Sequence, residues 1–192
     1  LKPHKFYKQT IYGAKTHPYS RKVLLRGWSL LAVTSLAFAG LFAILLVISR
    51  IPGMEDTVPW PVDFFQKGLV AHVVLSFAVW YLAVLGCLVQ AGSNEDANVL
   101  DKAGLCLTVI GTILLLIPAL LDRGEPTLNN YIPVIIDPLY YSGLVLLALG
   151  ILSSIIPVFK NKFKGPNLKG PGYIYILSII AFIVAAVQLG NQ

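Results

Sequence analysis

Five apolar runs dominate this chain, each long enough to cross a hydrocarbon layer of about 30 Å as a helix rising about 1.5 Å per residue. They are placed at Trp28–Ser49, Gly68–Val89, Ala103–Leu121, Leu139–Phe159 and Tyr173–Leu189. None holds an Asp, Glu, Lys or Arg, so every charge falls in a tail or a connecting segment, the distribution a bilayer enforces. Strands have no use for such runs in a small barrel, whereas a helix satisfies its own backbone inside lipid. A water-soluble globule is excluded because 12% charged residues, against about 25% in soluble domains, cannot cover its outside. A hydrophobic content of 56% excludes disorder, and two cysteines, both in apolar runs, exclude a disulfide scaffold. The expected fold class is all-α: one polytopic transmembrane bundle of five spans over residues 28–192, behind a basic tail over residues 1–27.

The basic residues orient the bundle. The tail carries Lys2, Lys5, Lys8, Lys15, Arg21, Lys22 and Arg26 and no acid. Lys102 precedes the third span, and Lys160, Lys162, Lys164 and Lys169 lie between the last two. Together they put twelve basic residues on one side, against Arg50, Lys67 and Arg123 on the other. The positive-inside rule then expects the N-terminus inside and the C-terminus outside. This placement accounts for the net charge of +6 as a topology signal and a contact for anionic lipid head groups, without nucleic acid. The tail has no hydrophobic run of a secretory signal, and a first residue of Leu1 fits a processed product or a fragment.

Local signals support the span ends. Asp137-Pro138 offers an N-cap acceptor and a proline in the first turn of span four, and Asp101 is expected to cap span three similarly. Pro118 is expected to kink or end span three. Trp28, Trp60, Tyr131, Tyr140, Tyr141 and Tyr173 fall near expected interfaces, where aromatic belts form.

Three histidines are present. His4 and His17 lie in the basic tail and read as solvated surface. His72 lies about one turn inside span two, where an ionisable residue is by default a functional candidate. Gly68, His72, Ser76, Val79, Ala83 and Gly86 recur at three- and four-residue spacing and form one stripe of mostly small residues. Such a stripe admits a flat group beside the histidine, as an axial heme ligand needs; equally, it admits a neighbouring helix, with His72 hydrogen-bonded across the seam. No other span has a histidine, and the sole methionine, Met54, lies in an outer loop, so the opposite heme ligand is expected from polypeptide outside this chain. Cys87 and Cys106, toward the inner side, read as small hydrophobes. No phosphate-binding glycine motif, nucleophile elbow or paired carboxylate occurs.

Several short motifs taken together resemble the N-terminal part, helices I–V, of heme-copper oxidase subunit I, the superfamily of cytochrome c oxidases and nitric oxide reductases. Arg50-Ile51-Pro52-Gly53 is similar to that family's exit from helix I. Phe65-Gln66-Lys67-Gly68-Leu69-Val70-Ala71-His72 is similar to the Ala-His segment that holds the low-spin heme near the outer face. Gly124 to Tyr131, followed by Asp137-Pro138-Leu139-Tyr140-Tyr141, is similar to divergent bacterial members. The family's copper-binding His-x-x-x-Tyr segment, adjacent histidine pair and later heme-binding histidines have no counterpart here.

The resemblance implies an electron-transfer role: His72 gives one axial ligand to a low-spin heme iron, and a partner chain supplies the remaining heme and copper ligands and the binuclear centre. This chain then holds no copper site and no complete active site. The alternative is a non-catalytic structural subunit of a respiratory or photosynthetic membrane complex. Either places the chain among other subunits and lipid, in a bacterial cytoplasmic membrane or a mitochondrial inner membrane.

Overall fold

The computed structural model describes residues 18–54, 64–93, 95–128 and 133–162. Helix α1 is Tyr19–Ile48; α2 (Phe64–Val73), a π turn (Val74–Val79) and α3 (Trp80–Ala91) follow as one unbroken rod. Helix α4 is Val99–Leu120, a short antiparallel hairpin pairs β1 (Glu125–Thr127) with β2 (Val134–Ile136), and α5 is Pro138–Lys162. The described residues thus hold four helical segments long and apolar enough to cross a membrane: Tyr19–Ile48, Phe64–Ala91, Val99–Leu120 and Pro138–Pro157. The expected fifth span, Tyr173–Leu189, lies outside the described residues, as do His4, His17, Trp60, Tyr131 and Tyr173.

Helix α1 packs along the α2–α3 rod, α4 pairs most extensively with α5, and α2–α4 and α3–α5 contacts join the two pairs. The burial pattern is that of a protein in hydrocarbon. Leu30, Val33, Phe38, Leu41, Ile44 and Val47 of α1 face outward, and Phe77 within the π turn is 73% exposed. Water would not tolerate so much apolar surface, whereas lipid does. The described residues form a mostly helical integral membrane protein with one small hairpin.

Glycine makes the α4–α5 pairing possible. A Cβ on Gly111 would stand 2.8 Å from the Gly143 carbonyl oxygen, and one on Gly143 would stand 2.8 Å from that of Gly111. Seven residues earlier on α4 and seven later on α5, Gly104 and Gly150 meet the same way, a Cβ on each standing 2.7 Å from the other's carbonyl oxygen. Two turns of each helix therefore touch backbone to backbone, the dispersion-driven contact that replaces the hydrophobic effect inside lipid.

Helix ends extend beyond the apolar runs, and this moves charges into the protein. Helix α1 begins nine residues before Trp28, so Arg21 is not a tail cation: it is 2% exposed. Its Nη1 lies 3.2 Å from Asp101 Oδ2 and also donates to Gln90 Oε1. Its Nε and Nη2 donate to the Glu95 and Asp96 carbonyls, each at 3.1 Å. Gln90 Nε2 completes the network by donating to Asp101 Oδ1 at 3.3 Å. Asp101 does not cap α4. Asn98 does, its side chain accepting from the Asp101 N–H at 2.9 Å while Asp101 Oδ2 accepts from the Asn98 N–H at 3.0 Å. The carboxylate is the N3 partner of a capping box as well as the counter-ion of Arg21.

At the opposite end, Lys67 is buried and its Nζ donates to Asp122 Oδ1 at 2.6 Å. Asp122 adopts φ 52, and Gly124 adopts φ +69 where a Cβ would stand 2.6 Å from the Ile136 carbonyl. Helix α4 stops two residues after Pro118, and Asp137 Oδ1 caps α5 by accepting from the Leu139 N–H at 2.8 Å, both as the sequence led us to expect. Two of the expected belt aromatics are interior instead. Trp28 is fully buried against Gly86, and Tyr140 is 1% exposed beneath the hairpin, while Tyr141 does face outward.

Two outcomes test this packing. Gly111→Val forces α4 and α5 apart and costs about 1–3 kcal/mol, read as a lower midpoint in detergent unfolding, whereas Gly40→Ala, with nothing within 4 Å, leaves the midpoint unchanged. Asp101→Ala strands Arg21 in the interior at a cost of about 3–5 kcal/mol, and the double variant Arg21→Met/Asp101→Leu recovers most of it. A double variant no more stable than Asp101→Ala contradicts that account.

Candidate functional site

His72 sits in the last turn of α2, directly ahead of the π turn. Its Nδ1 lies 2.8 Å from the Ala39 carbonyl oxygen of α1. A carbonyl only accepts, so Nδ1 carries the proton and a neutral ring then presents its lone pair on Nε2. No hydrogen-bond partner for Nε2 occurs among the described residues. The π turn widens the helix at this point. Its Ser76 Oγ donates to the His72 carbonyl at 2.7 Å, which satisfies a backbone acceptor that the irregular turn loosens.

The half-buried imidazole lines an open groove of about 390 Å³ between α1 and α2. One wall is Ala43, Leu46 and Val47 of α1 with Arg50 two residues beyond its end; the α2 wall is Phe65, Leu69 and His72. Arg50 stacks over the Phe65 ring, its guanidinium carbon 3.9 Å from the centroid, and marks the groove's polar rim.

The stripe expected beside His72 is mostly filled. Gly86 receives Trp28, Val79 and Ala83 are fully buried, and a Cβ on Gly68 would meet Leu46 at 3.1 Å. Most of the small-residue clearance thus belongs to helix α1. What stays open is the groove at the His72–Arg50 end. The sequence offered no sign of the Ala39 carbonyl, since a backbone acceptor carries no residue signature. Cys87 lies with its Sγ 3.3 Å from Ser29 Oγ in the α1–α3 contact, and Cys106 is exposed. Among the described residues no group of three or more His, Cys, Asp or Glu gathers as a metal cluster.

This fold and site define a polytopic helical membrane protein with one half-satisfied imidazole facing an apolar groove. No family model matches the chain, and no solved structure matches it. Two curated bacterial relatives do. An uncharacterized protein of Aquifex aeolicus is 31% identical over 146 residues, which is 74% of this chain and 36% of that protein. An uncharacterized protein of Rickettsia prowazekii is 24% identical over 194 aligned residues, 87% of this chain and 37% of that protein. The chain therefore spans little more than a third of the length of these relatives.

The Ala39 contact is one hydrogen bond between helices. His72→Leu should lower the unfolding midpoint by an amount equivalent to about 1 kcal/mol, and His72→Asn should fall between it and the parent. A loss as large as that of Asp101→Ala would show that His72 supports the fold far beyond this bond.

Proposed function

We propose that this chain is part of an electron-transfer protein of the heme-copper oxidase type, in which His72 supplies one axial ligand to a low-spin heme. The observation that carries the reading is the Nδ1–H to Ala39 carbonyl bond at 2.8 Å. A histidine that ligates a metal characteristically donates its other N–H to a carbonyl or carboxylate, which sets the tautomer and the ring plane. Ala39 does this for His72 and leaves Nε2 as the ligand atom. The site fits one face of a heme: a single imidazole nitrogen, apolar walls from Ala43, Val47 and Leu69, and a cation at the rim. A bound low-spin heme would supply one-electron transfer toward a binuclear centre. The opposite ligand and the copper ligands come from other polypeptide. The length of the relatives beyond the matched segment makes a longer chain of the same kind as suitable a source as a partner subunit.

In this reading the chain crosses the membrane five times with its N-terminus inside. The cation excess of the tail and of the Lys160–Lys169 segment supports that orientation. His72 then lies toward the outer face. Both relatives are bacterial, which favours the bacterial cytoplasmic membrane.

One observation favours a second reading, a structural subunit. Trp28 on Gly86 and the buried Val79 and Ala83 show the stripe acting as a helix seam, and the Ala39 bond strengthens any such seam. A reduced-minus-oxidised spectrum of the membrane-extracted protein separates the two. The heme reading expects a low-spin band that His72→Ala abolishes while helix content by circular dichroism is retained. Absence of the band from the parent, or its persistence in His72→Ala, leaves the structural reading.

A further inference from the structure

We infer that the end of the bundle where α1 and α4 begin holds an anionic phospholipid, its phosphate met by Lys22, Arg26 and Lys102 and its acyl chains laid along the outward faces of the two helices; this does not depend on the heme reading. Helices α1 and α4 run parallel here and touch at two levels, Arg21 against Asp101 and, further along, Gly27 against Leu105. Residues beside those contacts turn outward: Lys22 and Arg26, one turn apart on one face of α1, and Lys102 on α4 are all exposed. Leu30 and Val33 continue that face of α1, and Val109 that of α4, at helical spacing and also exposed. Arg26 stands two residues before the charge-free run from Trp28, and Lys102 directly before the one from Ala103. Both cations therefore lie at head-group depth of one leaflet, where aliphatic stems rest on apolar surface while the charge reaches phosphate.

The charge balance at this end calls for an anion from outside the chain. By sequence it takes twelve basic residues and three acids, Glu95, Asp96 and Asp101. Asp101 is committed to Arg21, and Asp96 Oδ1 accepts from Ser20 Oγ at 2.9 Å. No carboxylate lies within ion-pair distance of Lys22, Arg26 or Lys102 among the described residues. Helix α1 adds the positive end of its dipole, with no side-chain cap and no acid in its first turn. The apolar residues next to the three cations select an amphiphile over a free phosphate, and a bilayer supplies one there at high local concentration.

Native mass spectrometry of the full chain in detergent, titrated with phosphatidylglycerol or phosphatidylcholine, provides the test. The parent should bind phosphatidylglycerol more tightly. Each cation removed should weaken that binding about fivefold, so Lys22→Gln/Arg26→Gln/Lys102→Gln loses the preference while Lys22→Arg/Arg26→Lys/Lys102→Arg keeps it. Lys160→Gln/Lys162→Gln/Lys164→Gln removes as much charge from the same end of the bundle and should keep most of the preference. If the first triple variant does not fold by circular dichroism, Lys102→Gln alone is read, with its own fivefold loss expected. Equal binding of the two lipids by the parent overturns the inference, as does an unchanged preference in the folded Gln variant. Equal losses in the two Gln triples overturn it in favour of diffuse surface charge, and displacement of the lipid by millimolar inorganic phosphate overturns it in favour of a free-anion site.

Discussion

Hydrocarbon offers no water to a charge or an unpaired peptide group, and most of this structure follows from that exclusion. The backbone closes on itself as long helices, and charges retreat to the ends. The helices nevertheless run past their apolar windows, and each extension carries a charge inward. Arg21 enters with α1 and is met by Asp101 at the start of α4; Lys67 enters with α2 and is met by Asp122 just after α4. Both ends of α4 are therefore tied to other helices by ion pairs, fully buried at Arg21–Asp101 and partly exposed on the Asp122 side of the other. A lost partner at the Arg21 site costs several kcal/mol because that cation has no route back to solvent.

Between those ties, two kinds of helix contact divide the work. The α4–α5 pair uses glycine against glycine, twice, with a seven-residue repeat on both helices, so that backbones touch. The α1 contact with the α2–α3 rod uses large against small: Trp28 fits over Gly86, and Leu46 lies against Gly68. This second mode determines what reaches His72. Because α1 covers the stripe along most of its length, the approach to the imidazole left open among the described residues lies near Arg50 and Phe65. The packing that stabilises the pair also limits the direction from which a ligand can enter.

The membrane class and the four described spans were legible in the sequence because charge exclusion is a composition signal that needs no tertiary information. Asp137-Pro138 and Pro118 were legible for the same reason: capping and the missing proline N–H act within one turn. Arg21 misled because an apolar-window reading assigns every cation outside a window to solvent, and only the fold brings Asp101 and Gln90 to it from far along the chain. Trp28 and Tyr140 misled similarly, since proximity to a span end is shared by belt aromatics and by aromatics that pack inward. His72 stood out as an ionisable residue within an apolar span, but its partner is the backbone of Ala39, where sequence shows only a small residue.

The choice of histidine at this place bears on why the site exists. Several hydroxyl groups of the bundle are satisfied within their own helices, as Thr108 and Thr112 are on carbonyls four residues back and Ser35 on one three residues back. A single interhelical bond from α2 to the Ala39 carbonyl needs only one donor, which a hydroxyl or amide supplies with less polar surface to leave stranded. Imidazole brings a second nitrogen, and an unpaired acceptor in an apolar groove carries a desolvation cost that the fold does nothing to offset. The cost is removed only when something coordinates or donates to Nε2. Alongside it the rod departs from α geometry at the π turn, an irregularity that itself weakens the helix and is frequent at functional positions. Two departures from the cheapest packing, an imidazole with one nitrogen unpaired among the described residues and a π turn, thus lie in adjacent turns beside the same groove.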